Sequence, residues 1–406
     1  MINTGDTAFV LLSAALVMVM TPGLALFYGG LVRRKNFLTI VLQSFISMGV
    51  VTMIWVAVGY SLSFSGDLGG IIGNLSWAGL HGVGAAPGPY SPNIPALAHF
   101  SFQEMFAIIT PALITGAFAD RVRFKSYLVF LVFWSLLVYV PIVHWIWGGG
   151  FLARWGVLDF AGGMVVHTSA GFAALASVFI VGSRRFGPDE RRNPHNVAFV
   201  AIGTGLLWFG WFGFNAGSEL AADGVAAQAF VNTDIAASVA MCTWLFISWW
   251  RSSKPSIVGA FTGAVAGLAC ITPCAGYVPT WAAFAIGFAA GCICYSAVLF
   301  REKMRWDDAL DVWGAHGVGG LLGTILLGAF ASLAINAKGA NGLVYGNPAF
   351  FGKEVAASLF IAGYSFGMTW LILAIQNRFD PVRVPDSLET AGIDTELEEE
   401  SAYDMT

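Results

Sequence analysis

Two histidines carry the most chemistry in this sequence. The segment Asp159-Phe-Ala-Gly-Gly-Met-Val-Val-His167-Thr-Ser-Ala-Gly171 can be set beside Asp308-Ala-Leu-Asp-Val-Trp-Gly-Ala-His316-Gly-Val-Gly-Gly320. In both, an aspartate stands eight residues before the histidine and a glycine four residues after it. An imidazole pair can pass protons, or hydrogen-bond a small polar guest as donor and acceptor. Each aspartate opens an apolar stretch, where a carboxylate favours a helix N-terminus. Eight helical residues advance ~12 Å, and a bilayer hydrocarbon core is ~30 Å thick. Counted from opposite faces, both imidazoles approach the midplane. The alternative is two unrelated core histidines satisfied by their neighbours. Matched depth inside apolar helices argues against it, because ionisable groups there are functional by default.

A second cluster is aromatic. Phe102 and Phe106, Trp145 and Trp147, Phe160 beside Asp159, and Trp211, Phe214 and Ser218 fall near the ends of apolar stretches. One reading is an aromatic belt at the lipid–water boundary. The other is a weak cation site made of ring faces and a hydroxyl, with Asp159 adding negative potential. Cation–π attraction is worth ~0.5–1 kcal/mol when exposed and ~2 when desolvated.

The remaining candidates are plainer. His81, His99 and His195 fall in loops or at span ends and are expected to be solvated, and His144 is expected at the outer interface. Cys242, Cys270, Cys274, Cys292 and Cys294 sit in apolar segments and read as helix packing. No metal site or cofactor is expected, and the net charge of −4 argues against a nucleic-acid partner.

The elements that must position these residues are membrane helices. The chain is 57% hydrophobic and 11% charged, with a mean hydropathy of +0.72. Too few charges remain to coat a water-facing surface, where roughly 25% is usual. Apolar runs long enough to span lie at about 8–32, 37–64, 100–119, 126–147, 161–182, 196–218, 232–250, 256–274, 280–300, 309–332 and 351–377. The expected fold is an all-α polytopic membrane protein of eleven transmembrane helices. With eleven spans, 17 of the basic residues fall in loops on one side and 3 (Arg154, Lys338, Lys353) on the other. Positive charge collects on the cytoplasmic side. The N-terminus is therefore expected outside and the C-terminus in the cytoplasm. The first apolar stretch lacks a basic leader and reads as a span rather than a cleaved signal.

The matched histidine segments suggest an inverted 5+5 repeat, with halves at about 8–182 and 196–332, plus a final helix at about 351–377. The membrane domain would then occupy 1–377. Residues 65–99 read as irregular outer structure, and the acidic tail 378–406 as a solvated, flexible extension by composition. Gly259-x-x-x-Gly263-x-x-x-Gly267 marks a close helix contact whose partner the sequence does not name.

Several ordered segments resemble the ammonium transporter family (Amt/MEP/Rh), bacterial Amt branch. They are Thr21-Pro-Gly-Leu-Ala-Leu-Phe-Tyr-Gly-Gly30, Asp159-Phe-Ala-Gly-Gly163 with His167, Gly210-Trp-Phe-Gly-Phe-Asn-Ala-Gly-Ser218, Asn232-Thr233, Gly276-Tyr277 and Asp311-Val-Trp-Gly-Ala-His316. The resemblance implies a homotrimer in the cytoplasmic (inner) membrane with a pore through each subunit. It carries ammonium, with methylammonium as an analogue. Phe102, Phe106, Trp147 and Ser218 resemble the external recruitment site, and Phe106 and Phe214 the stacked outer gate. Asp159 resembles the essential acid, and His167 and His316 the twin histidines of the lumen. Trp211, Phe27, Tyr28 and Val312 are placed along the pore by the same resemblance. The tail resembles a segment that meets PII-type signalling proteins. Two departures stand out: Glu104 between the two phenylalanines, and Glu-Glu-Glu-Ser-Ala-Tyr403 where His-Gly-Glu often precedes Ala-Tyr. Glu104 is expected either to charge the vestibule or to face outward.

Ammonium can lose a proton before entering an apolar lumen, and potassium cannot, which would separate two cations of similar size. The residues fit both electroneutral ammonia conduction and net cation transfer. Net charge transfer is the expectation, because the Asp–His arrangement suits proton passage. Competing classes are an ammonium sensor on the same scaffold and a channel for a small neutral gas such as carbon dioxide. A membrane enzyme is the third, but no His-Glu-x-x-His, Gly-x-Ser-x-Gly or P-loop motif occurs.

Overall fold

Small polar residues start many of the helices. Side chains of Asn3, Asn196, Asp223, Ser256 and Asn347 each accept a backbone N–H from the first helical turn that follows. The computed structural model describes residues 1–186, 193–394 and 402–403. Arg191 and Arg192 of the basic count, and Glu396, Glu398, Glu399, Glu400 and Asp404 of the tail, lie outside them.

The chain is a mostly helical, polytopic membrane protein. Among the described residues, ten helices are long and apolar enough to cross a bilayer. They are α1 (Thr4–Leu31), α2 (Arg34–Phe64), α3 (Ala96–Phe118), α4 (Phe124–Trp155, turning at 147–150) and α5 (Gly163–Val181). α6 (Val197–Glu219), α7 (Gly224–Ser252), α9 (Thr280–Lys303), α10 (Trp313–Phe330) and α11 (Pro348–Phe379) complete the set. Between α7 and α9 lies the shorter apolar α8 (Ile257–Ile271). Its 15 residues rise ~22 Å, and turns at 272–277 follow. α7 begins eight residues before the expected 232, because Asp223 caps it ahead of the apolar run. The outer loop carries a small hairpin, β1 (Pro87–Gly88) with β2 (Ser91–Pro95).

The glycine ladder of α8 meets α7. A Cβ at Gly263 would fall 2.6 Å from Trp244 Cβ, and one at Gly267 2.5 Å from the Ala236 carbonyl. The basic loops gather on one face and interlock. Arg33 bonds Asp120, Arg121 bonds Asp307, and Arg184 reaches both Asp120 and Asp307.

The tail to residue 394 is docked rather than solvated. The short α12 (Asp386–Ala391) carries the buried Glu389, which pairs with Arg383 at 2.7 Å. Asp394 accepts from Leu38 N, Thr39 N and Thr39 Oγ1 at the start of α2. Composition misread this segment because its acids are individually matched to basic loops and helix ends. Tyr403 reaches His195 at 2.7 Å.

Histidine solvation is also corrected. His99 is buried with Nδ1 3.0 Å from Tyr60 Oη. His144 is buried between the Ser63 carbonyl and Asp67. His195 is half-buried against the Val32 carbonyl, while His81 is exposed as expected.

Candidate functional site

The two histidines are placed by two unusual helix starts. α5 and α10 both open with a π-turn, Gly163–Thr168 and Trp313–Gly317, and each turn contains its histidine. Wider turns of this kind occur often at functional sites. Each is held by the aspartate that precedes it. Asp159 Oδ1 accepts from Gly162 N and Gly163 N, and Oδ2 from Met164 N and Val165 N, at 2.7–3.0 Å. Asp308 Oδ2 accepts from Trp313 N at 2.7 Å. Both therefore bond the N–H five residues ahead. The expected eight-residue helical rise from Asp to His does not exist. Each aspartate stands outside the helix and folds its carboxylate back over the free donors, and Gly162 makes the reversal at φ +111°.

Crossing glycines bring the turns together. A Cβ on Gly171 would lie 2.1 Å from Gly317 Cα, and one on Gly320 would lie 2.5 Å from the Gly163 carbonyl. Each glycine thus seats on the other helix's π-turn. His167 and His316 meet with Nδ1 atoms 3.3 Å apart and ring centroids 5.3 Å apart. Two Nδ1 atoms at that distance need one proton between them. The imidazoles are therefore opposite tautomers, an assignment made from the hydrogen-bond network. One Nε2 donates and the other accepts. His167 Nε2 has no protein partner.

The lumen around the pair is narrow and apolar. Met20, Leu24, Phe27, Ile109, Leu113 and Val265, with Trp211 and Phe214, help line a cavity of 10 Å³, room for about one water-sized molecule. Trp211 and Phe214 stack on His167 at 5.3 and 5.8 Å. Trp211 Nε1 donates to Thr272 Oγ1 at 2.9 Å, which leaves its ring as the lumen surface. Phe214 also packs on Phe106, with ring centroids 4.2 Å apart.

The expected mouth residues converge around Phe106. Phe102 packs on Phe106 at 4.9 Å, and Trp147 meets Phe106 edge-on at 5.8 Å. Phe102 also faces Gly217, the neighbour of Ser218. Ser218 Oγ donates to the Phe214 carbonyl at 2.8 Å, so its lone pairs remain to accept. Trp147 Nε1 donates to the Asp159 carbonyl at 2.8 Å, so the indole can offer a cation only its face.

Not every expected residue joins the site. Trp145 turns away, donating to the Ile71 carbonyl and packing on Tyr364 of α11 at 4.6 Å. Phe160 packs on Tyr277 at 5.3 Å. Phe27 lines the cavity, whereas Tyr28 and Val312 do not; they flank Gly116 toward the face with the basic loops. Tyr28 Oη donates to the Leu113 carbonyl. Glu104 does not face outward: it is buried and bonds Thr52 of α2. Asn232 and Thr233 are clamps, bonding the Ala275 and Val278 carbonyls and Asn215. The aliphatic lining of the cavity carried no chemical signal in the sequence. Among the described residues, no group of three or more His, Cys, Asp or Glu could hold a metal ion.

The model of the Ammonium Transporter Family matches residues 8–403. The chain belongs to that family. An ammonium transporter of Bacillus subtilis (strain 168) is 45% identical over 400 residues, covering 98% of each chain. The crystal structure of Candida albicans Mep2 superposes with a TM-score of 0.91 at 34% identity, covering 100% of this chain and 94% of that one. A structure titled Sensor Amt Protein superposes at 0.89 with 28% identity, covering 97% of this family member and 98% of that chain.

Proposed function

We propose that the chain moves ammonium across a cytoplasmic membrane through a pore of its own. The observation that carries this reading is the closed Phe106–Phe214 pair directly above the His167–His316 pair, in a lumen with room for one small molecule. Ammonium is held against the faces of Phe102, Phe106 and Trp147 and donates to Ser218. An unpaired charge is costly in the lumen below, so the ion gives up a proton there and ammonia passes the stacked rings. The donor Nε2 and the acceptor Nε2 serve the lone pair and the N–H groups of ammonia in turn. The proton crosses by the histidines and water, giving net charge transfer. Asp159 acts by holding the π-turn of His167 and, through its carbonyl, Trp147.

In this reading α8 and the turns at 272–277 form the eighth of eleven crossings. The N-terminus is outside and the basic face is cytoplasmic. The matched Asp-capped π-turns of α5 and α10 support inverted halves over about 8–182 and 196–332, with 378–406 as a cytoplasmic tail. The names of the family relatives support ammonium as the substrate. A homotrimer, and a PII-type protein on the basic face, extend the family resemblance.

The test is current from purified protein in sealed liposomes pulsed with ammonium and then with potassium at equal concentration, beside Asp159→Ala of checked thermal stability. An ammonium-only current that the variant loses supports the reading. Alkalinisation of the liposome interior without current means electroneutral ammonia conduction. The Sensor Amt Protein neighbour favours a second reading, a sensor on this scaffold. Ammonium binding with neither current nor pH change would select it.

A further inference from the structure

The segment that carries Asp159 is neither helix nor strand, yet it is buried, so its backbone groups need partners. Asp159 O is taken by Trp147 Nε1 at 2.8 Å, and Phe160 N by the Pro273 carbonyl at 3.2 Å. Leu158 N is taken by a side chain from far along the sequence. Glu354 Oε1, on α11, accepts it at 2.7 Å. Glu354 is fully buried, and its Oε2 has no hydrogen-bond partner. Its backbone neighbours α10, where a Cβ on Gly328 would lie 3.1 Å from Glu354 Cβ. Asp159, Cys274 and Tyr277 lie within its electrostatic reach.

The two carboxyl groups are satisfied very differently. Asp159 accepts four backbone N–H groups, two on each oxygen, as an ionised carboxylate does. Glu354 accepts one, and its other oxygen is bare.

We propose that Glu354 is a positioning residue for ammonium recruitment. It fixes Leu158, and through the next residue it fixes both the Trp147 ring and the carboxylate that holds the His167 turn. The inference rests on the conduction reading above. Helix α11, which contributes nothing to the cavity wall, thereby sets the geometry of the mouth.

The experiment compares wild type, Glu354→Gln and Glu354→Leu in ammonium-pulsed liposomes over a range of ammonium concentrations. Glutamine keeps a carbonyl acceptor and no ionisable proton. Glu354→Gln is expected within about twofold of wild type in both KM and maximum rate. Glu354→Leu strands a buried N–H and is expected to raise the KM for ammonium about tenfold, with a smaller fall in maximum rate. Transport by Glu354→Leu at the wild-type KM overturns the proposal. So does a Glu354→Gln loss as large as that of Glu354→Leu, which would mean that accepting the Leu158 N–H is not what matters. If Glu354→Leu does not fold, the glutamine variant decides against wild type alone: a KM within about twofold supports the proposal, and a rise of about tenfold overturns it. If wild type carries no ammonium, the conduction reading falls on its own. Hydrogen exchange of residues 156–162 then decides: protection kept in Glu354→Gln and lost in Glu354→Leu supports the positioning role, and equal protection in both overturns it.

Discussion

Gly171 is packed on Gly317 so closely that a single methyl group would fall 2.1 Å from the Gly317 Cα. That contact, and its counterpart at Gly320, sets how near His167 and His316 can come. Gly171→Ala must push α5 and α10 apart, and overpacking of this kind costs ~1–3 kcal/mol. The expected outcome is a lowered thermal midpoint and ammonium flux reduced about tenfold or more. Gly363→Ala, with nothing within 4 Å of the added carbon, is the matched control and is expected to leave both unchanged.

The shared Nδ1 contact makes the histidines one unit. His167→Leu and His316→Leu are each expected to lower ammonium flux about tenfold or more, since each strands its partner's nitrogen. The double variant is expected to be no worse than either single, because residues that act together are not additive. Flux measured across the four proteins of this cycle checks it. A double loss equal to the product of the single losses would show that the rings act separately.

Asp394 caps the start of α2 from the far end of the chain, with three hydrogen bonds at 2.7–2.9 Å. Asp394→Ala is expected to cost ~0.5–2 kcal/mol, the range for a lost cap. It should also speed limited proteolysis between residues 380 and 394. Thermal unfolding and a proteolysis time course check both parts.

Asp307 gives the basic face an acid sensitivity. Burial opposes its ionisation, but the Arg184 hydrogen bonds and the Arg184 and Arg121 charges overcome it and hold the carboxyl well below the usual range. A depressed folded-state value stabilises the fold above the unfolded value of ~3.9. That contribution is lost as pH falls through the folded value. Asp307→Asn is expected to lower the thermal midpoint at pH 6, with a gap to wild type that narrows as pH falls below about 4. A gap that stays constant from pH 6 to pH 3 would sink the assignment.

The sequence by itself determined that the chain lives in lipid and which side chains are its candidates for chemistry. Composition decides the first, because an 11% charged chain has no way to coat itself for water. The matched Asp–His–Gly spacing decides much of the second, since groups that are costly in lipid stand out against an apolar background. His167, His316, Asp159, Phe102, Phe106, Trp147, Phe214 and Ser218 were all legible, and they converge. Only tertiary structure decided how they are held. The π-turns of the two histidines are each held by a carboxylate that folds back onto N–H groups three to six residues ahead, which no helical periodicity announces. The aliphatic cavity wall was illegible because Leu113 or Val265 looks the same facing a pore or a neighbouring helix. The docked tail and the Glu354–Leu158 bond join residues roughly two hundred or more positions apart. Such pairings depend on where folded helices come to lie, and local sequence carries no trace of them.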